Sequence, residues 1–141
     1  MRIKGSTILL LGLLFAQVNF AQMADCTLGL GGKDTEVIIK VFHLNEEQKS
    51  QLDMWVAEYQ LSSRLIQEEV DQLLESHPQK TPEDLEKLAV KYNTLKTKLF
   101  NISRAYDQEL IALFDQRQYE VYLELCNEVN RKPMSKSANE H

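Results

Sequence analysis

From residue 81 onward, apolar side chains recur in steps of three and four without a break: Leu85, Leu88, Tyr92, Leu95, Leu99, Ile102 and Tyr106. A repeat of this period over so many turns is the signature of a seam between packed helices and is incompatible with strand alternation. Leu110, Leu113 and Phe114 extend it. Its start is marked by Thr81-Pro82-Glu83-Asp84, a capping residue, a proline at the first helical position and two acids at the positive end of the helix dipole.

A second periodic run precedes it. Asn45 and Gln48 have capping-box spacing, and Leu52, Trp55, Val56, Tyr59, Ile66, Val70, Leu73 and Leu74 then share a helical face. Pro78 disfavours helical geometry in the residue before it, which ends this helix near Ser76. The link from Ser76 to Thr81 is short enough to force the two helices antiparallel. A third helix is predicted after Asp115, with Gln118 repeating the capping-box spacing and Tyr119, Tyr122, Leu125, Cys126 and Val129 on one face up to Pro133. The predicted fold is therefore all-α, a long antiparallel helical hairpin plus a third C-terminal helix, with a flexible N-terminal arm.

The remaining segments are less regular. Residues 22–43 read as a flexible arm with Gly29, Gly31 and Gly32, followed by the β-branched run Val37 to Phe42. That run suits a short strand, an extended segment or a helical turn laid on the helices, and a lone strand has no obvious partner. The helical domain covers residues 44–132, and residues 133–141 read as a disordered tail.

The N-terminus suggests export. Arg2 and Lys4, the apolar run Ile8 to Phe15 and small or polar residues from Ala16 to Ala21 have the layout of a secretory signal peptide cleaved after Ala21. The run is too short to span a bilayer, which takes roughly 20 apolar residues. Asp25 directly before Cys26 argues against lipoprotein processing. A periplasmic or secreted home follows as an expectation.

The chain carries a net charge of −5. Loss of Arg2 and Lys4 with the signal takes this to −7. An acidic chain without a basic cluster is a poor partner for nucleic acid or anionic membrane. Residues 45–77 hold eight acids against two bases, whereas residues 81–114 hold five of each.

Cys26 and Cys126 are the two cysteines, and an oxidising compartment favours their pairing. An intramolecular bridge, an intermolecular bridge, or a buried Cys126 with a free Cys26 all satisfy the sequence.

Nothing in the chain has the pattern of a catalytic or metal site. His43, His77 and His141 form no i,i+4 ligand pair, the cysteines are not in CxxC spacing, and no glycine-rich phosphate loop follows a strand. The expectation is a non-enzyme without cofactor or metal. The more informative feature is a second apolar stripe on the first long helix, Met54, Leu61 and Leu65, roughly opposite the Trp55–Tyr59–Ile66 face. A helix apolar on two sides needs two partners. The third helix or the Val37–Phe42 segment supplies one explanation, and a second subunit or a surface for client proteins supplies the other. Met54, Leu61 and Leu65, with Tyr59 and Phe100 as neighbours, are the candidate binding residues.

Leu44-Asn45-Glu46-Glu47-Gln48 and Phe114-Asp115-Gln116-Arg117-Gln118 resemble the paired LTxxQ motifs of the Spy/CpxP family of periplasmic helical proteins. The resemblance covers about residues 40–130. Asn45 and Asp115 stand where the family has Thr, and Phe114 stands where it has Leu; the replacements at the cap keep its chemistry. The resemblance implies an ATP-independent chaperone that binds unfolded or envelope proteins and works as a homodimer. A regulatory module gripping one envelope or sensor partner, and a structural helical protein without clients, are the competing classes. In each, Leu44, Asn45, Gln48, Phe114, Asp115 and Gln118 act as helix-capping residues.

Overall fold

The computed structural model describes residues 23–136; the expected signal peptide and the last five residues of the expected tail lie outside them. Four helices follow in order: α1 (Thr35–Phe42), α2 (Glu46–Ser76), α3 (Pro82–Ala112) and α4 (Gln116–Glu128). Among the described residues the β pairing is one isolated parallel bridge, Asp25 with Lys132.

The three longer helices begin where their capping signals stand. Asn45, Thr81 and Asp115 each accept from the backbone N–H three residues on, and Gln48, Asp84 and Gln118 reach back to the cap's own N–H. Three complete capping boxes satisfy donors that a helix otherwise leaves open.

α2 and α3, 31 residues each, form an antiparallel hairpin about 45 Å long at 1.5 Å per residue. Its core lies at one end. Leu52 on α2, Leu110 and Ile111 at the end of α3 and Phe114 in the link to α4 meet Ile38 and Phe42 of α1, Tyr122 and Cys126 of α4, and the flanking Leu30 and Met134. Towards the turn, only Ile66, Val70 and Leu88 are buried, while Leu85 is half exposed. A two-helix seam covers one side of each helix, so the heptad residues there are sheltered and not enclosed.

The Val37–Phe42 run is neither a strand nor an extended segment. It is a two-turn helix because the i,i+4 pair Ile38 and Phe42 then points into the core, 5% and 4% exposed. Tertiary burial overrides the β-preference of its branched residues. His43, in the left-handed region at φ 49°, ends the helix by donating its N–H to Lys40 and Ile39 carbonyls.

Both expected loose ends depart from expectation where they are described. The Asp107 carboxylate accepts three successive backbone N–H groups, from Leu28 at 2.8 Å, Gly29 at 3.0 Å and Leu30 at 2.9 Å. Leu30 is fully buried, and Gly31 lies so close to the Tyr59 ring that a Cβ there would overlap it. At φ +89° this position also favours glycine on backbone grounds. At the other terminus Met134 is buried, its N–H donating to the Tyr122 hydroxyl at 2.9 Å and its carbonyl accepting from Tyr119. The arm and the start of the tail are thus part of the fold at residues 26–31 and 133–135.

Candidate functional site

The two motif copies, far apart in sequence, meet at the core end of the hairpin. Leu44 and Phe114, the apolar residues before the caps, are both buried, and the rings of Phe42 and Phe114 stand 4.7 Å apart. Gln48 Nε2 donates to Gln118 Oε1 at 2.8 Å, and Gln118 Nε2 donates to Gln48 Oε1 at 2.9 Å. Each amide also donates to a backbone carbonyl of the opposite corner, Gln48 to Leu113 and Gln118 to Phe42. Each carbonyl oxygen accepts in addition from its own cap N–H, Asn45 or Asp115. Both glutamines are buried and each amide has two donors and two acceptor positions engaged, so no polar penalty is left open. The arrangement can position helices; it presents no reactive atom to solvent.

Cys26 and Cys126 form an intramolecular disulfide. It ties the arm to α4 beside the Tyr122 hydroxyl, which donates to the Cys26 carbonyl at 2.7 Å. Burial pushes the Tyr122 hydroxyl up to about 12, partly offset by the Met134 N–H. Burial also holds the Asp107 carboxyl above its ordinary value, with the N–H groups of Leu30, Gly29 and Leu28 and then the charge of Arg104 pulling the other way. Periodicity places Tyr122 on the face of the third helix and assigns no anchoring role to Asp107 or Leu30. Asp107 was detectable as an acid inside the stripe Leu110, Ile111 and Phe114.

The second stripe on α2 is uncovered. Met54, Leu61 and Leu65 are 47%, 53% and 53% exposed. At 3.6 residues per turn they fall within about 40° of arc, nearly opposite Leu52, Ile66 and Val70, which face α3. Neither α4 nor the Val37–Phe42 helix lies over them, because both are spent on the core at the hairpin's base.

Tyr59 and Phe100 belong elsewhere. Tyr59 is half-buried beneath Gly31 and the arm, on the inward side of α2. Phe100 is 54% exposed, but it sits on α3, on the side that carries Asp107 and away from the outward face of α2. The stripe is therefore three residues on one helix, and the two expected neighbours do not enlarge it.

An open groove of about 380 Å³ also runs between α1 and α4, with Val37, Val41, Leu125 and Val129 on its walls and Asp34 at its rim. Its lining has no nucleophile beside a base. No group of three or more His, Cys, Asp or Glu among the described residues is placed to hold a metal ion, and no described helix is long and apolar enough to cross a membrane.

Compared with known proteins, the chain matches no family model, no curated protein and no solved structure.

Proposed function

We propose that this is an exported, non-enzymatic binding protein that holds partly unfolded or envelope proteins on the outward face of α2, without nucleotide. The observation that carries the reading is the exposure of Met54, Leu61 and Leu65 on a helix whose opposite face is already packed against α3. Isolated exposed leucines are ordinary; three aligned on one face of a long helix form a contact strip that costs solubility unless it is used. The resemblance to the Spy/CpxP motifs points the same way, and the disulfide is compatible with an oxidising compartment.

Binding on such a strip is apolar and weak, so release needs only dilution or folding of the client. The shortness of the strip favours, as a second reading, a module for one defined partner segment. A photo-crosslinker placed at residue 61, with the somewhat more exposed residue 90 on α3 as the control site, tests the proposal. Capture of an unfolded model protein but not its folded form, from residue 61 and not residue 90, is the expected result. Equal capture at both sites means no client surface exists on α2.

A further inference from the structure

The outward face of α2 carries more than apolar residues. In steps of three, four and seven it reads Glu47, Met54, Glu58, Leu61, Leu65, Glu68 and Gln72, and each of these three glutamates is exposed. Glu69, which borders Leu65 at i+4, is also acidic and pairs with Lys98 of α3 at 3.5 Å. Glu58 accepts from the Tyr106 hydroxyl at 2.8 Å and stays exposed. Arg64, at i+3 from Leu61, is the one base bordering the strip. Lys98 offsets Glu69, so Glu47, Glu58 and Glu68 against Arg64 leave the margin of the strip net negative.

We infer that the strip takes a cationic amphipathic protein segment, one whose apolar residues lie on Met54, Leu61 and Leu65 while its lysines or arginines meet Glu47, Glu58 and Glu68. This rests on the strip being a binding surface, as proposed above. The charge excludes two other occupants. A second copy docked by the same strip brings like charges together, and an anionic bilayer is repelled by the same acids. The helix register sets the partner's form: Met54 to Leu65 spans about 16 Å, three turns, which matches anchors at i, i+3 or i+4, i+7 and i+11 on a partner helix.

The probes are two synthetic amphipathic peptides with one leucine seam, flanked by Lys in the first and by Glu in the second, titrated against the full disulfide-bonded protein by fluorescence anisotropy. Exposed ion pairs are individually worth little, and three together amount to about tenfold in Kd at low salt. The Lys peptide is expected to bind about tenfold tighter than the Glu peptide, with the gap closing in high salt. Glu47→Gln with Glu68→Gln should narrow the gap, and Leu61→Ser with Leu65→Ser should remove binding of both peptides. Equal binding of the two peptides, still lost in the serine variant, overturns the charge inference and leaves the holding surface standing. Binding of neither peptide overturns both. Lys-peptide binding that survives the serine variant also overturns the inference, because charge alone then accounts for it.

Discussion

Gln48 and Gln118 hydrogen-bond to each other in both directions, at 2.8 and 2.9 Å, while each also closes its own capping box. Two motifs that read separately as helix starts are in fact one joint. It locks the α1–α2 corner to the α3–α4 corner, 70 residues apart in sequence. The clasp explains why each motif needs Gln and why Glu is a poor substitute there: a carboxylate offers no donor for the partner's oxygen or for the Leu113 and Phe42 carbonyls.

Removing either glutamine strands the other. Gln48→Leu or Gln118→Leu should each lower stability by about 1–3 kcal/mol, the cost of buried groups left unpaired. The double variant should cost less than the sum by about 1 kcal/mol, since both changes break the same bonds. Asn45→Ala and Asp115→Ala act only on the caps and should cost about 1 kcal/mol each. Urea unfolding followed by circular dichroism measures all five; full additivity of the two glutamine changes means the clasp is not formed.

The arm should be held by Asp107 as well as by the disulfide. Asp107→Asn keeps the shape but offers one acceptor oxygen where three N–H groups converge, and should cost about 1–3 kcal/mol. Gly31→Ala should be at least as damaging, because the added methyl meets the Tyr59 ring at a positive φ. Rapid amide hydrogen exchange at Leu28 to Leu30 in both variants, with α3 still protected, is the expected signature. Exchange unchanged from the parent protein at those amides contradicts the assigned anchor.

What local chemistry specifies was legible in the sequence, and what distant partners specify was not. Glu46, Pro82 and Gln116 begin helices where Asn45, Thr81 and Asp115 offer caps, and Pro78 ends α2 at Ser76. The Gln48–Gln118 pairing leaves no local trace, because a capping box already accounts for each glutamine. Asp107 stands out in the apolar stripe of α3, yet its partners are 77 to 79 residues upstream in a glycine-rich stretch that reads as loose. The strip of Met54, Leu61 and Leu65 was visible from periodicity. Its exposure depended on where α1 and α4 pack, which periodicity does not contain.

Reduction should cost stability without dissolving the helices. The bridge closes a loop of 100 residues, worth about 4.7 kcal/mol in the chain-entropy model before strain. Hydrogen bonds from Leu28 to Leu30 and from Tyr122 still hold the arm when the bond is open. Thiol reduction, or Cys26→Ser with Cys126→Ser, should lower the urea midpoint and leave the far-ultraviolet helical signal below the transition unchanged. Loss of that signal at zero denaturant would make the disulfide a condition of folding.

Alkaline pH should destabilise the protein through Tyr122. Its hydroxyl titrates at about 12 in the fold against about 10 in an unfolded chain. Between those values the unfolded state has lost a proton that the folded state keeps, so rising pH favours unfolding. The contribution is level below about pH 10 and declines by about 2–3 kcal/mol as pH rises through 12. Tyr122→Phe should be less stable at neutral pH, because the Cys26 carbonyl and Met134 N–H lose their partner. Its stability should also fall less steeply above pH 10. Parallel pH curves for the two proteins would remove Tyr122 as the cause.

The most direct test of the holding surface is aggregation of a chemically unfolded model protein, diluted into the purified protein without nucleotide and followed by light scattering. The account predicts suppression at near-stoichiometric ratios, lost when Leu61 and Leu65 are changed to Ser in a variant that keeps its helical signal. Absence of suppression by the parent protein, or suppression that the serine variant retains in full, contradicts it.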